Sequence, residues 1–119
     1  NIHINYNLKA QYELLADRLR INQVIINLLG NAFKYVNDKG TIRIELEKTD
    51  GRTKILIANT GDLIPDKDLD LIWNSFYQVD TDHSGSGLGL AIVKSIIDLH
   101  QGSCQAYTTD KYNCFEVIL

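Results

Sequence analysis

The sequence predicts a two-layer α+β sandwich, with paired strands on one side and three helices on the other. Two stretches of alternating apolar and polar residues read as hairpins, one mid-chain and one at the end. A long run rich in Leu, Ile and Ala reads as a helix between the first strands and the first hairpin. Two shorter helical stretches separate the hairpins.

Residues 3–8 alternate enough to form a strand, and 12–16 a short second one. Asp17 suits the N-cap of a helix over 18–36, and Asn37-Asp38-Lys39-Gly40 is a turn. In the strand predicted over 41–47, Ile42, Ile44 and Leu46 alternate with Arg43, Glu45 and Glu47. Asp50-Gly51 turns it into a more buried strand over 54–58. A loop over 59–65 leads to a short helix at 66–76. Its Leu69, Ile72, Trp73 and Phe76 fall at i, i+3, i+4, i+7, with Asp66, Asp68 and Asp70 near its positive end. After a polar loop, Gly87 opens a third helix that runs to about His100, with Gly102 near its C-terminal cap. Strands at 103–107 and 113–119 close the chain as a hairpin.

The 119 residues fit a single domain, 1–119, with one core. With 12 basic and 15 acidic residues the net charge is −3, which argues against a general nucleic-acid binder. No run approaches the roughly 20 apolar residues of a membrane span. Asn1-Ile2-His3-Ile4 is no signal peptide. The chain opens without Met and closes in a strand-like run, so we expect a piece of a longer protein. Cys104 and Cys114 lack metal-ligand spacing and are expected to face each other across the terminal hairpin as reduced, packed thiols.

Two features carry chemistry. Asn27, Asn31 and Lys34 lie at i, i+4, i+7 of the long helix, one polar stripe on an otherwise apolar element, extended by Gln23 and Arg20. Buried amides need partners. An amide oxygen suits Mg²⁺, a lysine suits phosphate, and Tyr35 offers a flat face to a base. A solvated outer face would give the same spacing. The second feature is Ser84-Gly85-Ser86-Gly87-Leu88-Gly89-Leu90, at the entry of an apolar helix. A helix N-terminus offers unpaired N–H groups to anions, and glycines let phosphate approach. The Walker lysine is absent, and no strand directly precedes the glycines. A flexible hinge is the other reading.

In combination these segments resemble the histidine kinase catalytic domain, of the superfamily that also holds gyrase and the HSP90-like chaperones. Asn27-Leu28-Leu29-Gly30-Asn31-Ala32-Phe33-Lys34-Tyr35 is similar to its N box and Asn59-Thr60-Gly61-Asp62-Leu63-Ile64-Pro65 to its first glycine box. Trp73-Asn74-Ser75-Phe76-Tyr77 resembles the F box and Gly85-Ser86-Gly87-Leu88-Gly89-Leu90 the second glycine box. The resemblance implies a mixed, mostly antiparallel sheet packed on three helices, the Bergerat ATP-binding fold. It implies that Asn31 coordinates Mg²⁺ on the ATP phosphates, that Asn27 supports the metal or phosphates, and that Lys34 contacts phosphate. Tyr35 packs on adenine, Asn59 hydrogen-bonds its amino group, Gly61 lets the base approach, and Ile64 lines the pocket. Gly85, Gly87, Leu88, Gly89 and Leu90 form the phosphate cradle, and residues 79–86 the mobile lid.

The implied activity is ATP-dependent phosphorylation of a histidine on the parent's own dimerisation segment, with a response regulator downstream. The parent would be a homodimer, and any membrane contact would come through segments absent here. The domain itself is expected in the cytoplasm. Superfamily hydrolases place Glu at the position of Asn27, and an amide cannot take a proton from water at neutral pH. That favours transfer to protein over hydrolysis. None of His3, His83 and His100 has the acidic neighbour of a phospho-accepting histidine. Asn59 stands for the commoner Asp, Leu63 for a second glycine and Gln78 for a frequent Arg, while the lid lacks Lys and Arg. These departures predict weak nucleotide affinity and slow catalysis. The alternative is a weakly active or non-catalytic nucleotide-binding regulatory module.

Overall fold

The computed structural model describes residues 2–8, 18–79 and 87–119. The strand expected at 12–16, the Asp17 cap, Gly85 and most of the lid lie outside the described residues. In chain order the elements are β1 (His3–Leu8), α1 (Arg18–Tyr35), β2 (Thr41–Thr49), β3 (Arg52–Thr60), α2 (Gly89–Leu99), β4 (Ser103–Thr108) and β5 (Tyr112–Ile118). One sheet has the order β1-β2-β3-β5-β4. β1 runs parallel to β2, and the other neighbours pair antiparallel. The sheet is therefore mixed and mostly antiparallel, as the family resemblance implies.

Asp50 and Gly51 both have positive φ, 53° and 78°, which gives the β2–β3 turn the twist its strands require. Alternation then sorts the faces. Ile42, Ile44, Ile55, Ile57, Phe115 and Val117 pack toward the helices, where Val24, Leu28 and Ala32 of α1 and Val93 and Ile97 of α2 cover them. Trp73 meets Phe115 edge to face, with ring centroids 6.2 Å apart. The outer face is polar. Lys54 Nζ lies 3.3 Å from Glu47 and 3.5 Å from Glu116, and Gln105 donates to Glu116 at 3.0 Å. A small apolar patch of Leu56, Ala58 and Cys114 sits among these groups.

The helix expected at 66–76 is instead two 3-10 turns, Asp66–Asp68 and Leu71–Trp73. Three aspartates are poor helix formers, and Asn74 turns extended (φ −81°, ψ 144°). Ile72 and Trp73 reach the core, but Phe76 is 73% exposed with φ +67°. The apolar spacing located the buried pair and misread the element around it. The last helix begins at Gly89 rather than Gly87. It ends in a Schellman motif in which Gln101, not Gly102, takes the left-handed conformation (φ 59°). Gln101 donates to Asp98 O and Gly102 to Ile97 O.

The cysteines do not face each other. Cys104 pairs in register with Val117, and Cys114 with Tyr107. Three residues separate Cys114 from Val117, so the two thiols lie on opposite faces of the sheet. Cys104 packs toward the helices and Cys114 in the outer apolar patch; both are free thiols. Burial pushes the Cys104 thiol up to about 11. The thiolate is the reactive form, so at pH 8 it is far scarcer than for an ordinary thiol of about 8.5. Iodoacetamide should modify Cys104 at pH 8 at least about tenfold more slowly in the native chain than in urea. Mass spectrometry showing equal rates would contradict this placement.

Candidate functional site

The face of α1 that meets the sheet carries Ile21, Val24, Leu28 and Ala32. At 100° per residue, Asn27, Asn31 and Lys34 stand about a quarter turn away from that face. That flank looks toward α2, and all three residues line a cleft of about 540 Å³. The volume falls within the range of small-molecule sites. The stripe is thus a cleft wall and not a solvated outer face.

The opposite wall comes from the loop after β3 and from the segment before α2. Leu63, Ile64 and Pro65 supply an apolar side, joined by Ile72 and Tyr77. The Tyr77 hydroxyl donates a short hydrogen bond to Asp68, and that bond, followed by burial, holds the hydroxyl above its ordinary range. That bond ties Tyr77, and the wall it belongs to, to the first 3-10 turn.

The second glycine box divides into glycines with different reasons. Gly87 has φ +73°, and a Cβ there would lie 2.8 Å from the Phe76 backbone. Phe76 N donates to Gly87 O at 2.9 Å, so this contact ties Phe76 to the residue two positions before α2. A Cβ on Gly89 would meet nothing within 4 Å, and the same holds for Gly30 on α1. Both line the cleft. Neither packing nor backbone angle requires glycine there. Leu88 at the N-cap of α2 makes no side-chain cap hydrogen bond, and a helix N-terminus favours an anion.

Asn27 does more than line the wall. Its Nδ2 donates to Gly89 O at 3.1 Å, and its Oδ1 accepts from Gln23 at 2.7 Å. The side chain ties α1 to the first residue of α2. Asn31 and Lys34 follow along the same stripe, with Lys34 Nζ 5.3 Å above the Tyr35 ring. Tyr35, Ile64, Gly87, Gly89 and Leu90 line the cleft as expected, whereas Leu88 does not.

Asn59 and Gly61 are not among the residues that line the cleft; they lie behind it, next to the lining residues Asn113 and Tyr35. Thr60 hydroxyl donates to Asn37 Oδ1 at 2.6 Å and accepts from Thr41 N at 2.9 Å, which locks the end of β3 to the end of α1. Gly61 (φ +143°) is so close that a Cβ would lie 2.6 Å from Tyr35 O. Asn59 is 1% exposed and donates to Thr60 O at 3.0 Å. Its Oδ1 is the one buried side-chain polar atom without a partner among the described residues. An orphaned buried acceptor is costly, so a ligand donor fits here. Asn113 was missed by the sequence reading, although an asparagine inside a strand-forming run is itself a signal. It lines the cleft and is 3% exposed.

Fold and cleft together define a nucleotide-binding α+β sandwich. Residues 16–119 match the family described as histidine kinase-, DNA gyrase B-, and HSP90-like ATPase. The autoinducer 2 sensor kinase/phosphatase LuxQ of Vibrio cholerae is 34% identical over 92% of this chain and 13% of its own length. The circadian input-output histidine kinase CikA of Synechococcus elongatus is 35% identical over 79% of this chain, again 13% of its own length. Among solved structures, the catalytic domain of histidine kinase ThkA superposes with a TM-score of 0.89 at 30% identity, covering 99% of this chain and 78% of that one. The chain belongs to this ATPase family and is the ATP-binding catalytic domain of a sensor histidine kinase. It spans about an eighth of the length of those two curated relatives. No helix among the described residues is long and apolar enough to cross a membrane.

Gly61→Ala should lower stability by about 1–3 kcal/mol, because it adds a left-handed strain and a clash with backbone. Urea unfolding measures this; an unchanged midpoint would contradict the close approach to Tyr35.

Proposed function

We propose that the cleft takes Mg-ATP, base inward and phosphates toward α2, and delivers the γ-phosphate to a histidine on the parent's dimerisation segment. The carrying observation is the unpartnered Oδ1 of buried Asn59, whose register partner Asn113 lines the cleft. Because its Nδ2 is held by Thr60 O, the amide presents an acceptor. The 6-amino group of adenine donates to such an acceptor; the 6-oxo group of guanine does not. Tyr35, Leu63 and Ile64 supply apolar contact around the base.

At the other end Asn31 would hold the metal through its amide oxygen, with the remaining sites filled by phosphate and water. Among the described residues no cluster of three or more His, Cys, Asp or Glu competes for that part. Bound Mg²⁺ neutralises charge on the phosphates. Lys34 adds a point charge, and the N-terminal end of α2 at Gly89 and Leu90 adds the helix dipole. Asn27 keeps Gly89 in place, so it shapes the phosphate end through α2. It cannot act as a general base, and that disfavours hydrolysis. In the transfer the bond from the bridging oxygen to the γ-phosphorus breaks while an imidazole nitrogen bonds to phosphorus, and ADP leaves.

Relatives support the reading. Full-length ShkA, 28% identical with a TM-score of 0.84 over 98% of this chain, is known in complex with AMPPNP. ThkA, in another structure 26% identical with a TM-score of 0.83, is known in complex with response regulator protein TrrA. A response regulator downstream of this domain's parent follows by analogy, as does a dimeric parent whose other segments decide any membrane attachment. A second reading, a nucleotide-sensing module with little transfer activity, draws on Gln78, which puts a neutral amide on the cleft wall.

Calorimetry with Mg-ADP should show binding that falls at least about tenfold in Asn31→Ala, the scale of one lost charge-assisted contact. Equal affinity would remove the metal from Asn31. The parent protein incubated with Mg-ATP should form an acid-labile phosphohistidine. Nucleotide binding without that label would favour the sensing module.

A further inference from the structure

Two neighbouring strands carry the same change at the same level. On β3 the core-facing row runs Ile55, Ile57, Asn59; on β5 it runs Val117, Phe115, Asn113. Asn59 and Asn113 are direct partners in the antiparallel register. Both side chains are at least nine-tenths buried. The apolar core therefore ends in a pair of asparagines, of which Asn113 lines the cleft. They differ in use: Asn59 leaves its oxygen open, whereas Asn113 spends both ends of its amide on the loop after β3. Its Oδ1 accepts from Ile64 N at 2.8 Å and its Nδ2 donates to Asp62 O at 2.9 Å.

Ile64 also packs on the core, but the loop's hydrogen bonding rests on these two bonds. Among the described residues, no main-chain hydrogen bond braces Asp62, Leu63 or Ile64. Neither Asp62 nor Leu63 adopts positive φ, so the turn is made without the second glycine whose absence the sequence shows. Leu63 and Ile64 nonetheless form the apolar wall of the cleft. A loop ordered only on binding would subtract its ordering entropy from affinity, while a clamped loop does not.

We propose that Asn113 is the positioning residue of the base-binding end. It holds the loop at 62–64 against β5, so that its apolar wall stands opposite Tyr35 before the nucleotide arrives. This inference rests on the nucleotide reading above. It assigns to Asn113 an effect on base affinity exerted through the loop and not through the phosphate end.

The test combines Mg-ADP calorimetry with amide hydrogen exchange on the wild-type domain, Asn113→Ala and Asn113→Asp. The Ala variant should bind Mg-ADP at least about tenfold more weakly, with faster exchange at Ile64 and unchanged exchange at Gly89. The Asp variant keeps the acceptor for Ile64 and loses the donor to Asp62, so its affinity should fall between the two. It also serves as the test if the Ala variant does not fold. Affinity within twofold of wild type in a folded variant would overturn the proposal, as would exchange accelerated equally at Ile64 and Gly89, which marks a general loss of structure. Absence of Mg-ADP binding by the wild type would instead overturn the nucleotide reading itself.

Discussion

The site depends on the rotation of α1 about its own axis. Val24, Leu28 and Ala32 are almost wholly excluded from water against Ile42, Ile57 and Phe115. Fully burying an aliphatic side chain contributes about 1.5–3 kcal/mol. Turning the helix by a quarter would expose these residues and bury Asn27, Asn31 and Lys34 in their stead. The apolar stripe thereby fixes where the polar stripe points. The Asn37–Thr60–Thr41 hydrogen bonds add a second restraint, along the axis, by fastening the end of the helix to the end of β3.

With α1 fixed, the cleft forms between elements far apart in sequence. The bond from Asn27 to Gly89 joins the N box to the second glycine box. The contact of Phe76 with Gly87 holds the segment after the second 3-10 turn against the approach to α2. The two buried asparagines carry the last turn of this construction. One fastens the wall, and the other leaves a buried acceptor without a partner among the described residues.

Much of this was legible in the sequence. Ile42, Ile44 and Leu46 gave the sheet face by strict alternation, and the spacing of Asn27, Asn31 and Lys34 gave the stripe. Where local signals competed with tertiary contacts, the reading failed. The apolar period at Leu69–Phe76 suggested a helix, but burial of Ile72 and Trp73 needs only a short turn, and the aspartates oppose more. Cys104 and Cys114 seemed opposed because hairpin register was unknown, and a one-residue shift in register exchanges the faces. Asn113 escaped because its partners, Asp62 and Ile64, lie about fifty residues away and are main-chain groups without a sequence signature. Gly87 and Gly89 looked alike in the sequence; only the structure separates a strained hinge from an open cradle.

The account holds that one flank of α1, the start of α2 and the loop after β3 bind one ligand together. Chemical-shift mapping of the isotope-labelled domain during titration with Mg-ADP tests this most directly. The account predicts that the largest shifts cluster at Asn31, Ile64, Gly89 and Leu90, while Glu45, Glu47 and Lys54 on the outer face of the sheet stay still. Shifts confined to that outer face, with the cleft unmoved, would contradict it.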